Sequence, residues 1–238
     1  MCSRQEMPSR FLSSLFQILP VVLDAMNTDT LVALLATDIA PVRGDTVKRY
    51  LTGSLLLAYV CAAVIALFGY GLRPDMATML VTPLYWLKLA LPLSLAAGAY
   101  AMLERLVRPG RPVGRTWSGI ALPVFAVWLA AVIVLWDAPA DLRTSLLMGK
   151  TWHTCAFNIA LLSAPCLFAV LFAVRQLAPT HRSLAGAVAG LLAGSLGTLA
   201  YCLHCPEMGV PFWATWYLLG MAIPTLAGAL LGKHVLHW

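Results

Sequence analysis

Residues 50–70 read YLTGSLLLAYVCAAVIALFGY, twenty-one positions without one charge. At 1.5 Å per residue a helix of that length is about 30 Å long, the thickness of a bilayer's hydrocarbon core. Five more stretches of this kind follow, at residues 84–103, 117–136, 153–174, 183–203 and 212–232. They are continuous apolar runs. The ten-residue alternating segments of a membrane barrel are not seen, so helices are the expected spanning form. Composition agrees. Of 238 residues, 61% are apolar and 11% charged, against about a quarter charged in an ordinary soluble domain. Mean hydropathy is +0.82. A soluble monomer of this length has too little interior to hide so much apolar surface. An ordinary cytosolic enzyme, a disordered tail and a coiled coil are excluded, and the pI near 9.2 does not argue for nucleic acid. The expectation is an all-α polytopic membrane protein, a bundle of six transmembrane helices.

Orientation follows from where lysine and arginine fall. One side carries Arg4, Arg10, Arg43, Lys48 and Arg49 before the first span. The same side takes Arg105, Arg108, Arg111 and Arg115 after the second, Arg175 and Arg182 after the fourth, and Lys233 at the end. The other side has Arg73, Arg143 and Lys150, so the bias is twelve to three. Both termini are therefore expected in the cytoplasm of a bacterium, with the protein in the inner membrane and the opposite face oxidising. Tyr85, Trp86, Trp117, Trp136, Trp152, Tyr201, Trp213 and Trp216 fall near the span ends and read as an interfacial belt.

Three segments are expected. Residues 1–25 include an apolar run, Phe11 to Leu23, that is too short to span and is followed by Asp24. They read as an extension or a mis-assigned start, with Met26 the natural beginning. Residues 26–49 open MNTDTLVALLATDIAPV. Asn27 or Thr28 can cap a helix, and Leu31, Leu34, Leu35 and Asp38 fall on helical spacing. This short amphipathic cytoplasmic helix either lies on the bilayer or docks in a groove on a soluble partner. Residues 50–238 are the membrane domain.

Lys88 is the one formal charge within a span, about 6 Å from the outer end. It is expected to snorkel outward. With no Asp, Glu or Arg in any span, a transporter or proton relay has little to work with. The small-residue stripe Gly186, Gly190, Gly194 and Gly197 allows close helix approach, within the bundle or across a dimer.

Six cysteines are present. Cys61 and Cys166 read as small fillers. Cys155, in Thr151-Trp152-His153-Thr154-Cys155, and the pair Cys202-Leu203-His204-Cys205, followed by Glu207, belong to the outer face. His153, His204, Lys88 and Glu207 share that level. Three readings stand open: a structural disulfide, a sensing site open to oxidation or to soft metals at Cys155 and Cys205, and a C-x-x-C oxidoreductase pair. A four-ligand zinc site would need all three cysteines and a histidine.

Four stretches carry a resemblance to a known family: MNTDTLVALLAT (26–37) with APV after it, RPDMATMLVTPLYWLKLALPL (73–93), GKTWHTCAFNIALLSAP (149–165) and LAYCLHCPEMGVPFWATWYLLGMAIP (199–224). T-W-x-x-C and L-H-C-P-E are the specific elements. The chain resembles the NrsF family of membrane-bound anti-sigma factors. The resemblance implies a six-span inner-membrane protein that holds an extracytoplasmic-function sigma factor inactive, with no enzyme activity and no direct nucleic-acid contact. It implies that Met26 to about Arg49 binds the sigma factor, through Leu31, Leu34, Leu35 and Asp38. It places the family's motif cysteines on Cys155 and Cys205, leaves Cys202 outside the motif, and implies a response to heavy-metal or oxidative stress. No cofactor is expected beyond transient heavy-metal binding. A membrane thiol–disulfide oxidoreductase or a small transporter is the alternative.

Overall fold

Glycines decide which helix takes the centre. A computed structural model describes residues 46–108, 110–177, 179 and 181–237, together with Asp29, Val32 and Ala33. Leu31, Leu34, Leu35 and Asp38, the segment 1–25 and most of 26–45 lie outside the described residues. The chain divides into two units between Gly44 and Asp45. In the first, Asp29, Val32 and Ala33 are helical and exposed.

The second unit is helical. α1 is Thr46–Ile65, α2 Met76–Leu80, α3 Pro83–Leu106, α4 Ser118–Asp137, α5 Ala140–Met148, α6 Trp152–Arg175, α7 Arg182–Tyr201, α8 Val210–Phe212 and α9 Leu218–Val235. Six helical stretches are long and apolar enough to cross a membrane: Lys48–Tyr70, Pro83–Leu106, Gly114–Asp137, Ala140–Arg175, Arg182–Tyr201 and Val210–Val235. They match the six runs read from the sequence. α5 was not foreseen. It is a short helix that opens the fourth of these stretches.

α7 is the most buried span, packed by α9, α6 and α3. Its glycine stripe explains why. A Cβ at Gly186 would stand 2.1 Å from the Gly228 carbonyl oxygen, and one at Gly190 would stand 2.0 Å from that of Pro224. Gly197 is as close to Ser163 of α6, whose Oγ would lie 2.4 Å from the added carbon. The stripe therefore packs inside the bundle and lets backbones touch where side chains would hold them apart. α1 packs on α6. α4 is the least buried span and sits at the edge against α3 and α8. It meets α3 where Gly98 faces Gly119, and a Cβ at Gly98 would be 2.5 Å from the Gly119 carbonyl oxygen. Leu122, Phe125, Trp128, Leu129, Val132 and Ile133 of α4 are all exposed. On a soluble protein such a face would drive aggregation, whereas in lipid it is the expected outer surface.

Prolines 92, 123, 165 and 224 each lie inside a helix that continues past them. Each leaves the carbonyl four residues earlier without its helical donor. The belt reading needs correction. Trp86, Trp117 and Trp136 are exposed, but Tyr85, Tyr201 and Trp213 are buried. The Tyr201 and Trp213 rings face the bundle, where their polar ends have the partners described below.

Gly190→Leu should destabilise the bundle by roughly 3 kcal/mol, the upper end for overpacking, because backbone and not a flexible side chain is in the way. Gly53→Ala, with nothing within 4 Å, should be neutral or slightly stabilising. Thermal unfolding of both variants in one mild detergent checks the pair.

Candidate functional site

Lys88 starts the site. Two turns into α3, its side chain has no route to water and is 0% exposed. A buried ammonium needs hydrogen-bond acceptors. Nζ donates to the carbonyl oxygens of Cys205 and Glu207, at 2.8 Å each. The ammonium also stands 5.7 Å from the centre of the Tyr217 ring, within cation–π range. Lys88 therefore does not snorkel outward. The chain brings the acceptors to it, because the loop after α7 folds back over the bundle.

A second cation grips the same loop. Arg73, in the turn before α2, is also buried. Its Nη1 donates to the Cys205 carbonyl at 3.2 Å and lies 3.6 Å from the Met208 sulfur. Its backbone N–H donates to the Leu203 carbonyl at 3.2 Å. Nε and Nη2 form a fork on the Asp75 carboxylate at 2.5 and 2.8 Å. That hydrogen bonding holds Asp75 below the usual carboxylate range and raises Arg73. The Cys205 carbonyl thus accepts from Lys88 and Arg73 together.

Glu207 links a third element. Its carbonyl takes Lys88 and, at 3.3 Å, the Trp213 indole N–H. Its carboxylate Oε1 accepts the Lys150 backbone N–H at 2.7 Å, in the turn between α5 and α6. Gly149 in that turn has φ +58°, and a Cβ there would lie 2.7 Å from Phe212 and 2.9 Å from the Glu207 carboxyl carbon. A side chain would force the turn away from the carboxylate. Trp216 donates to the Leu147 carbonyl at 3.0 Å, tying α5 to the last span. Loops 71–82, 138–151 and 202–209 are thereby joined at one end of the bundle.

The thiols lie beneath this junction. Cys155, Cys202 and Cys205 are each 0% exposed and not disulfide-bonded. The Tyr201 hydroxyl reaches the Cys155 thiol and Asn158. Tyr70 also donates to Asn158, at 3.2 Å. The Tyr217 hydroxyl reaches Cys205 and lies 3.8 Å from the Cys202 sulfur. Tyr70 and Tyr217 each belong to a wide π-helical turn, Ala66–Tyr70 and Trp213–Tyr217, a geometry concentrated at functional sites.

The histidines part company. His204 lies 5.4 Å from the Tyr70 ring, with Nδ1 3.2 Å from the Gly71 carbonyl oxygen. His153 stacks on Trp152 at 3.5 Å and is exposed. Among the described residues no group of three or more His, Cys, Asp or Glu is placed to hold a metal ion. The four-ligand zinc arrangement is thus not formed. Attack on an external disulfide needs an accessible sulfur, and both members of the C-x-x-C are covered. Sequence reasoning missed Arg73, Asp75, Tyr201 and Tyr217. The signal was present in part, since a lysine inside a span demands partners.

Removing Lys88 takes the ammonium donor from two carbonyls and leaves Arg73 alone on the first and the Trp213 indole alone on the second, at about 1.5–3 kcal/mol for each charged hydrogen bond lost. Lys88→Met should therefore loosen the loop and raise maleimide labelling of Cys205 in the folded protein at least tenfold. Wild-type labelling rates in a Lys88→Met protein of native helical content would refute this closure. Asp75 has a depressed folded pKa. Its contribution is present at neutral pH and is lost as pH falls below the usual carboxylate range through the lowered value. Melting temperature should drop below about pH 4 in the wild type, and less steeply in Asp75→Asn.

Comparison with known proteins bears on what this arrangement serves. The family described as negative regulator of sigma F, NrsF, matches residues 35–238. A protein of Azospira oryzae named a probable anti-sigma-F factor NrsF is 38% identical over 213 residues, 90% of this chain and 100% of that one. The anti-sigma-F factor NrsF of Caulobacter vibrioides is 34% identical over 215 residues, again 90% of this chain and 100% of the relative. No solved structure matches. With relatives matched along their full length and the family pattern running through all six spans and the thiol cluster, the chain belongs to the NrsF family.

Proposed function

We propose that this protein is a membrane-embedded anti-sigma factor, a regulator and not an enzyme. The observation that carries the reading is full-length similarity to two proteins named as anti-sigma-F factors. Its partner is a sigma factor of the extracytoplasmic-function type. Residues 26–49 hold that partner on the cytoplasmic side of the inner membrane, through Leu31, Leu34, Leu35 and Asp38, where both termini lie. The thiol cluster, at the opposite end of the bundle by the charge bias, receives the signal.

Two chemistries suit the cluster. Cys155 and Cys205 together give up two electrons and two protons to a two-electron oxidant such as a peroxide, and a disulfide forms. Alternatively, one soft divalent cation displaces both protons and is held by two thiolates. Either requires the Lys88 and Arg73 bonds to the Cys205 segment to yield, because the sulfurs are covered while those bonds stand. Movement of that segment shifts α7, which ends at Tyr201 and touches four other spans. Signal chemistry is thereby coupled to the cytoplasmic ends through a rearranged bundle.

The full chain should capture a sigma factor from its own host. Leu34→Glu with Leu35→Glu should weaken capture at least tenfold, since each buried leucine is worth roughly 1.5–3 kcal/mol. Failure of the full chain to retain any sigma factor would sink the reading. Separately, Cys155→Ser with Cys205→Ser should keep the sigma factor bound after cadmium or peroxide treatment. Release like that of the wild type would remove the thiols from sensing and leave the anti-sigma reading intact.

A further inference from the structure

Arginine concentrates at the other end of the bundle, and there the chain builds a pocket. A hollow of about 290 Å³ is lined by Arg105, Arg108 and Arg111 with Gly110, Val113 and His181. Arg105 is in the last turn of α3. Arg108 and Arg111 lie in the loop toward α4, and Gly110, at φ +78°, turns that loop back so that the two face one hollow. His181 immediately precedes α7 and is its N-cap, and its side chain makes no capping bond. The first-turn N–H groups of α7 receive no bond from that side chain, and His181 brings this helix start to the pocket.

The charge in this hollow is only partly spent. Arg108 pairs with Glu104 at 3.0 Å, and Glu104 also takes Lys48 at 3.9 Å. Among the described residues Arg105 Nη1 reaches the Pro112 and Val113 carbonyls, at 3.4 and 3.5 Å, and no carboxylate. Arg111 has no ion pair among the described residues. Guanidinium groups, an N–H-rich helix start and a concave shape are what a phosphate monoanion or diester binds best. The pocket's depth selects the source. It is lined by the last turn of α3, the loop that leads to the third span at Gly114, and His181 just before α7. That is the level of lipid headgroups, where basic pockets between spans hold anionic lipids.

We propose that this pocket is a binding site for the phosphate of an anionic phospholipid headgroup, with Arg105 and Arg111 as its principal ligands. The proposal rests on no part of the anti-sigma reading. It positions the loop between the second and third spans on the leaflet that carries most of the protein's basic residues.

The test uses the purified full chain in neutral detergent, with native mass spectrometry as readout. Phosphatidylglycerol should be retained in preference to phosphatidylcholine, and retention should fall with salt. Arg105→Gln or Arg111→Gln should each weaken phosphatidylglycerol roughly fivefold and the double variant on the order of 25-fold, at about 1 kcal/mol per basic group near the surface. Arg115→Gln removes the same charge from the same loop outside the pocket and should leave retention unchanged. Equal retention of both lipids, or equal loss with Arg115→Gln, would overturn the site. Binding of inorganic phosphate as tightly as phosphatidylglycerol would overturn the lipid source. Unaltered phosphatidylglycerol retention in the double variant, together with loss of sigma-factor capture, would overturn the proposal and assign the arginines to an acidic protein surface.

Discussion

A buried ammonium that pairs with no carboxylate among the described residues shapes the whole thiol-bearing end of this protein. Lys88 sits where water does not reach, and its two hydrogen bonds go to main-chain carbonyls of one loop. Carbonyls carry only partial charge, so the arrangement is less stabilising than an ion pair and far more dependent on loop position. Once the loop shifts, the charge loses its acceptors. The Cys205–Glu207 segment is therefore held in one place by a cation that tolerates few others. Arg73 narrows the choice further by donating to the same Cys205 oxygen while its fork is fixed on Asp75. The covering of three thiols follows from these bonds and from the tyrosines packed around them.

The close packing of α7 gives that local arrangement long reach. A helix in backbone contact with α9 at Gly186 and Gly190, and against Ser163 of α6 at Gly197, has no compressible layer around it. Side chains absorb small shifts by changing rotamer. Backbone-to-backbone contact does not, so a displacement at one end of α7 is passed along rather than dissipated. α4 presents the opposite case. One glycine contact with α3 and a lipid-facing surface leave it loosely attached, and it has little to transmit.

The spans were legible in the sequence because hydrophobic length is a local property. Each run of about twenty apolar residues announces a helix without reference to the rest of the chain. The glycine stripe was equally plain, although only the structure shows that Gly228, Gly232 and Pro224 meet it inside the bundle and not across a dimer. The site was legible as a set of residue types at one end of the bundle and not as a network. Cys155, Cys202, Cys205, Lys88, His204 and Glu207 were all named. What each touches depended on a loop fold that no periodicity encodes. Lys88 was misread because depth alone suggests snorkelling, and depth says nothing of acceptors carried in from 117 residues away. His153 was grouped with the thiols by sequence proximity to Cys155. Helical geometry turns two residues' separation through about 200°, so it faces outward onto Trp152 instead.

The same reasoning separates what burial can and cannot mean for the cysteines. Covered thiols are usually inert, and inertness is the expected state for a structural filler such as Cys166, deep in α6. Cys155, Cys202 and Cys205 differ in what covers them. Cys166 is enclosed by helices, which open only when the bundle unfolds. Cys205 belongs to a loop held by a handful of polar bonds, and Cys155 and Cys202 lie against tyrosine hydroxyls near that loop. Local opening of a loop costs much less than global unfolding. The barrier to reaching these sulfurs is therefore set by Lys88, Arg73 and Glu207, residues that can be changed without touching a cysteine. A thiol cluster closed in this way is shielded from reagents in solution until the bonds to the Cys205–Glu207 segment yield.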